Sequence, residues 1–541
     1  MPAAHVQKSA QSPVSSEVYD IARPSHLKGL KLSLVITAIT SVTFLMLLDT
    51  SIMSTAIPKI TDEFHSLSDV GWYGSAYLLA FSVMQLLSGK LYNKFRTKWT
   101  YLCLFGLFEL GSLLCGVATS SQMLIVGRAV AGLGGAGLIN GAMTIIGTTV
   151  PLHKQPALIG VLMGVAETGV VCGPLVGGAF TGYTTWRWCF YVNLPLGTIV
   201  ALYLFFVSIP DQIVKAPPLT VLANIHLELD LGGFVLFSGA VIQLLLALQY
   251  GGATLPWDSA IVIGLLVGSV ATFAVFTEWI RRLGDKSLVP ISIVSRQAVW
   301  ASALTALLIM TTQIITAYYL PIYFQAVRNA SPFESGVDIL PAILGQLLGA
   351  VFGGVSMQKI GYAIPFAILG AVLATIGTGL FTLFTPNTPT SMWIGFEVLQ
   401  GLGRGFAVQA PLVSIQAQCE ASEISTGTSL VMFAQTLGNA IFLTVANTVF
   451  DAGLRSTLPK HAPLVNTEEI IALGATGFQA VLPPDQLPGV LEAFSQSLDR
   501  VFYIGIATAA LGIVSCLFMG WVDLREKRPV PNSGAELRSQ D

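Results

Sequence analysis

The sequence predicts an all-α integral membrane protein with 14 transmembrane helices, arranged as two six-helix pseudo-repeat halves plus two extra linking helices. Three observations predict it: a composition that water does not solvate, a series of long apolar segments, and an internal repeat. Of 541 residues, 53% are hydrophobic and only 10% are charged, whereas a soluble domain carries about 25% charged residues. The mean hydropathy is +0.72. Length alone would suit roughly three or four soluble domains, and this composition excludes them. The net charge of −2 offers no excess for a polyanion, so no nucleic-acid partner is expected. The 53 glycines fit a helical bundle, where small residues let backbones approach. A transmembrane barrel would show short alternating segments instead.

A spanning helix needs about 20 mainly apolar residues. Segments that qualify lie at 33–57, 70–89, 99–118, 122–147, 157–180, 189–209, 231–250, 260–280, 299–323, 335–357, 363–384, 390–415, 426–449 and 501–521. Residues 1–30 read as a disordered cytoplasmic tail, because no short apolar core with a cleavage site precedes the first span. Residues 31–210 form the N-terminal six-helix half. Residues 211–297 form a linker with the two extra helices, and 298–525 the C-terminal half. Within the latter, 451–500 is a long extracellular loop expected to hold short amphipathic helices. Residues 526–541 are a second cytoplasmic tail. The repeat supports this division. Ser88–Phe95 parallels Gly353–Ile360 at an offset of 265, and Arg128–Gly135 parallels Glu397–Arg404 at 269. Chance matches in a glycine-rich chain are the other reading.

With the N-terminus inside, 19 of the 27 Lys and Arg face the cytoplasm and 6 face outward, while Arg128 and Arg404 lie within spans. That bias places both termini in the cytoplasm. The six cysteines lie in or beside apolar stretches without a CxxC pair, and the six histidines lie in polar segments. Packing cysteines are expected, and neither a disulfide framework nor a metal site.

Ionisable residues at membrane depth are costly and point to function. Asp49, Glu109, Arg128, Glu167, Glu397 and Arg404 are in this class. At about 1.5 Å per residue, Asp49, Arg128 and Glu397 share a level in the outer half of the membrane. An Asp49–Arg128 pair is therefore allowed, with Glu397 answering from the other half. A carboxylate at such a site can exchange a proton, since burial favours its neutral form and a nearby cation its charged form. Proton coupling is thus expected at Asp49, Arg128, Glu397 and Glu167. A permanent ion pair locking helices together is the other reading. The fifth span presents Gly160, Gly164, Gly169, Gly173, Gly177 and Gly178 as a flat face, bent where Pro174 frees a carbonyl. A bend beside a sliding seam suits a gate.

These residues resemble the major facilitator superfamily, specifically its fourteen-span drug:H+ antiporter branch, over about residues 33–525. Leu48-Asp49-Thr50 through Pro58 is similar to the branch's first-helix signature. Gly89-Lys-Leu-Tyr-Asn-Lys-Phe-Arg-Thr-Lys98 resembles the superfamily's gating loop, represented here by Gly89, Asn93, Lys94 and Arg96. The family usually has Asp where Asn93 stands. Gly127-Arg128 through Gly137 resembles the fourth-helix motif whose Arg is linked to proton transfer. Gly164 through Gly178, with Gly173-Pro174, resembles the antiporter motif. Trp186 through Gly197 is similar to a stretch typical of the fourteen-span branch. Tyr318 through Val327, followed by Ser335 through Pro341, resembles fungal members in particular, many of which look like efflux pumps for toxins and other secondary metabolites.

The resemblance implies a proton-coupled antiporter exporting small amphipathic organic compounds such as drugs, toxins or fungal secondary metabolites. A proton-coupled uptake carrier for a nutrient or iron chelate is the alternative, and transport direction separates them. A non-transporting receptor would leave the intramembrane charges unexplained. An ATP-driven pump is disfavoured by the lack of a Walker-type loop, and no enzyme activity or cofactor is expected beyond the proton gradient. Tyr73, Tyr77, Asn193, Gln313, Tyr319 and Gln409 are expected to line a substrate cavity between the halves, ordinary helix packing being the other reading of each. The expected partners are a small-molecule substrate, protons and membrane lipid, with the chain a monomer. The expected location is the plasma membrane; a vacuolar or vesicle membrane would keep the same topology. Asn329-Ala-Ser331 is a glycosylation sequon on a predicted outside loop. Occupancy is not expected, because Pro332 follows and the loop is short.

Overall fold

The apolar segments all fold as helices because a backbone in hydrocarbon must satisfy its own hydrogen bonds. The computed structural model describes residues 27–65, 69–211, 215, 217–252 and 255–525. Most of the tail expected at 1–30, and all of that at 526–541, lie outside the described residues. The long helices are α1 (Gly29–Phe64), α2 (Val70–Lys94), α3 (Thr97–Gly116), α4 (Ser121–Thr149), α5 (Gln155–Tyr183), α6 (Asn193–Phe206), α7 (Leu231–Tyr250) and α8 (Ala260–Leu283). They continue as α9 (Gln297–Ile322), α10 (Leu340–Ile360), α11 (Ile364–Phe381), α12 (Thr390–Val408), α13 (Ile424–His461) and α14 (Leu487–Cys516). Among the described residues, 12 helices are long and apolar enough to cross a membrane. The remaining two of the expected spans, α2 and α12, are helical at 25 and 19 residues. α12 is the more polar of the two, since it carries Glu397, Gln400 and Arg404.

Packing repeats along the chain. α4 packs against both α2 and α3, and α12 packs in the same way against α10 and α11. Glycines set these distances. A Cβ on Gly134 would meet the Phe108 nitrogen at 2.5 Å, and one on Gly405 would meet the Gln346 carbonyl at 2.3 Å. Residues in real proteins do not approach so closely, so these helices touch backbone to backbone. α1 packs along α5, α5 along α10, and α2 along α13. α7 and α8 pack on each other, with α7 also touching α2 and α13.

At 451–500 a short helix lies within the segment, as expected, but the flanks differ from a loop because the long helices run into it. α13 runs on for 38 residues to His461, α14 begins at Leu487, and a helix at Thr467–Val481 lies between them. Thirty-eight residues span roughly 57 Å, more than a bilayer with its headgroups at about 40–45 Å, so α13 projects from it. The projecting ends keep an apolar face: Phe450 and Phe478 both pack on Phe494, at centroid distances of 6.0 and 4.9 Å.

Asp230 ties the linker together. It sits in the left-handed region with φ of 50° and is 2% exposed. Its carboxylate accepts from Gly233 N at 2.9 Å, Trp279 Nε1 at 2.9 Å and Leu288 N at 2.6 Å. Asp230→Ala removes a helix cap, two long-range bonds and a residue type that tolerates this backbone. The expected loss is about 2–4 kcal/mol, read as a lower thermal unfolding midpoint of the purified protein; an unchanged midpoint would show that the linker does not limit stability.

Candidate functional site

Asp49 on α1 and Arg128 on α4 meet at 2.6 Å (Oδ2 to Nη1), with side chains 0% and 2% exposed. Each charge is further engaged. The Arg128 Nε donates to the Tyr73 carbonyl at 3.1 Å, and the Tyr77 ring lies 4.5 Å from the guanidinium. Asn193, at the start of α6, donates to Asp49 Oδ1 at 3.1 Å and to Ser112 Oγ on α3 at 3.2 Å. Side chains or backbone from five helices thus meet in one network around the Asp49–Arg128 pair. The arrangement holds a carboxylate and a guanidinium against each other, both shielded from solvent.

The antiporter-type motif on α5 faces α1. A Cβ on Gly169 would meet the Phe44 carbonyl at 2.6 Å, and one on Gly173 would meet Ser51 Cβ at 2.6 Å and Ile52 N at 2.8 Å. On Gly177 it would meet Thr55 Oγ1 at 2.2 Å. Pro174 has no N–H, so the Val170 carbonyl one turn earlier loses its helical donor. Ser51 Oγ supplies the bond at 2.5 Å. Gly173 gives Ser51 the room to reach it. Gly178 differs, since a Cβ there meets nothing within 4 Å. Gly164 instead faces α10, where a Cβ would meet Leu347 Cδ1 at 2.2 Å. Ser51→Ala is expected to remove the bond to the Val170 carbonyl and cost about 0.5–1.5 kcal/mol, seen as a lower melting temperature; Ser51→Thr retains the hydroxyl and should retain most of the stability.

A second polar group lies where α5 meets α9. Gln313 Nε2 donates to Glu167 Oε1 at 3.0 Å. Arg404 on α12 is 4% exposed and donates to Gln346 on α10. Gln400 donates to Thr316 at 3.0 Å. Glu397 is fully buried beside the Ala342 backbone.

The sequence profile described as the Major Facilitator Superfamily matches residues 39–443. The chain belongs to that superfamily. It is 50% identical to the MFS-type transporter pigP of Monascus ruber over 94% of this chain and 89% of that protein. It is 46% identical to the efflux pump mlcE of Penicillium citrinum, over 95% of each. Among solved structures, the proton:xylose symporter XylE of the same superfamily matches with a TM-score of 0.57 at 14% identity, covering 90% of this chain and 97% of that one. That likeness concerns the fold.

In this superfamily member the residues expected to form a gating loop lie on the last turns of α2 and at the turn to α3. Asn93 Nδ2 donates to Thr426 Oγ1 at 2.7 Å, and Ser425 Oγ donates to Asn93 Oδ1. A Cβ on Gly89 would meet Ser429 Oγ at 2.5 Å. A neutral amide therefore docks on the first turn of α13 where the family usually has Asp. Lys94 pairs with Glu228 at 2.5 Å, and Arg96 is exposed. The bundle is shut at this end: Gln416 Nε2 donates to the Met143 carbonyl at 3.1 Å, and a Cβ on Gly160 would meet the Ala350 carbonyl at 2.4 Å.

Of the six residues expected in a cavity, Tyr73, Tyr77, Asn193, Tyr319 and Gln409 are each 2% exposed or less. The first three surround the Asp49–Arg128 pair. Tyr319 donates to Asn447 at 2.6 Å, and Gln409 donates to the Ala350 carbonyl at 2.7 Å. Gln313 serves Glu167. Asn329 is exposed with φ of 57°, and Ser331 of its sequon caps the helix Pro332–Asp338.

Sequence reasoning gave no role to Ser51, Ser112 or Gln346: Ser51 sits among other polar residues beside Asp49, and Ser112 and Gln346 are small or neutral polar residues in apolar surroundings, with no spacing to distinguish them. The Trp186–Gly197 stretch gains a physical meaning. Trp186 Nε1 donates to Glu63 at 2.7 Å and Arg187 pairs with Glu63 at 2.9 Å, which pins the far end of α1. These two partners hold the Glu63 carboxyl below its usual range, Arg187 most strongly.

Proposed function

We propose that this chain exports small amphipathic organic compounds of the toxin and secondary-metabolite kind in exchange for protons, with Asp49 and Arg128 as the coupling pair. The buried Asp49–Arg128 contact carries the reading. A carboxylate neutralised by one guanidinium in a low-dielectric site trades that partner for a proton when helices separate. Glu167 and Glu397 act as secondary carboxylates. The export direction rests on the relatives, including mlcE, named an efflux pump. The closure near Asn93 and Gly160 corresponds to a state shut toward the cytoplasm.

The same reading includes fourteen spans, with α1–α6 and α9–α14 as pseudo-repeat halves and α7–α8 as the linking pair. Both termini are cytoplasmic, the chain works as a monomer in the plasma membrane, and the proton gradient replaces any cofactor. A vacuolar or vesicle membrane would preserve the topology.

The test is retention of a panel of fluorescent lipophilic compounds and fungal toxins in a pump-deficient cell, with and without a protonophore. Export predicts lower retention of some compound, abolished by the protonophore. Higher, gradient-dependent retention would instead establish uptake.

A further inference from the structure

The α2–α3 turn is gripped on two sides. One side docks on α13 through Gly89 and Asn93. The other meets the two linker segments that flank α7 and α8. Asp211 Oδ1 accepts from the Thr97 amide at 3.1 Å and from the Thr97 hydroxyl at 2.5 Å, at the first residue of α3. A carboxylate there satisfies an orphan amide and opposes the positive end of the helix dipole. Lys215 donates to the Tyr92 carbonyl and, at 3.0 Å, to the Phe95 carbonyl, the last residues of the turn's other arm. Its ammonium lies 3.8 Å from Asp211. Glu228 holds Lys94 at 2.5 Å. From the far side of the linker pair, the Lys286 carbonyl accepts from Lys90 at 2.6 Å.

We propose that Asp211, Lys215 and Glu228 are positioning residues of the gate, by which the linker segment leading into α7 holds the α2–α3 turn in register for docking on α13. The charge that the loop lacks at Asn93 is supplied from outside it. Asp211 fixes the start of α3, Lys215 gathers the carbonyls at the end of α2, and Glu228 neutralises Lys94 beside them. The contacts to α13 tolerate little displacement, since Gly89 already lies against Ser429. A turn released from the linker therefore docks less well, and the closed state loses population. On this account the linker segment leading into α7 takes part in the conformational cycle instead of only bridging two halves.

The inference rests on the transport reading, which requires two conformations, and its test needs no cargo. Fluorescent or spin labels at Lys154 and Lys359, at the shut end of α5 and α10, report the opening in full-length protein in lipid nanodiscs. Wild type is expected to show a short and a long distance. Asp211→Asn and Lys215→Gln should each lower the closed-to-open ratio about tenfold, as loss of charged hydrogen bonds does. Lys94→Glu should lower it a few-fold, as for a partly exposed pair, and adding Glu228→Lys should restore it. That rescue separates positioning from misfolding, and it decides the matter if Lys215→Gln does not fold. Two wild-type distances that none of these variants redistribute would overturn the clamp alone. A single wild-type distance under all conditions would overturn the transport reading and the clamp with it.

Discussion

Asp49→Asn is expected to abolish proton-driven export. Asparagine fills the same space, but it neither carries the negative charge nor takes up a proton. Arg128, 2% exposed, then loses its acid. With no proton taken up at this position, gradient-driven export should fall on the order of a hundredfold or more, an effect of about 3 kcal/mol. Arg128→Ala should fail equally from the other side. Its carboxylate keeps the Asn193 bond at 3.1 Å, yet loses its cation. The measurement is export of a cargo found in the retention panel, normalised to protein in the membrane. Exchange of that cargo across vesicles with no gradient is the control. Asp49→Asn should keep exchange while losing uphill export. Loss of both would make the pair a structural lock.

Gly173→Ala should reduce export more than tenfold, whereas Gly178→Ala should leave it within about twofold. Both glycines belong to one motif and lie five residues apart on α5. Their surroundings separate them. The new methyl at 173 would fall 2.6 Å from Ser51 Cβ and 2.8 Å from the Ile52 nitrogen, and backbone cannot yield as a flexible side-chain tip can. It would also push Ser51 off the Val170 carbonyl that Pro174 leaves open. Overpacking of this kind costs about 1–3 kcal/mol. At 178 the methyl enters open space. Export assays of the two variants at matched expression decide it. Equal loss at both positions would mean that the motif acts through backbone freedom, not close approach to α1.

Much of this was legible beforehand because membranes simplify the problem. Apolar length gives the helices, and a rise of about 1.5 Å per residue gives depth. That arithmetic put Asp49 and Arg128 at one level, and they meet at 2.6 Å. It stopped at azimuth. Depth does not say which way a side chain turns, so Asn193 read as a cavity residue, although it bridges Asp49 and Ser112. The ends of α13 and α14 were missed for a related reason. Beyond the bilayer a helix needs only one apolar face, and Phe450, Leu454 and Leu458 supply it between polar neighbours. A hydropathy window averages that pattern away. The linker contacts to the α2–α3 turn were hidden because they join residues more than a hundred positions apart, such as Lys215 and Phe95.

The central claim is that protons and cargo move in opposite directions through the Asp49–Arg128 site. Its most direct test is proton movement in proteoliposomes loaded with a pH dye, using a fluorescent amphipathic compound that the cell panel identifies as exported. The account predicts that the compound moves uphill when a pH gradient is imposed. Protons should move the opposite way in step with it, and both fluxes should vanish in Asp49→Asn. Flux of the compound that ignores the pH gradient, or proton movement unchanged in Asp49→Asn, would contradict it.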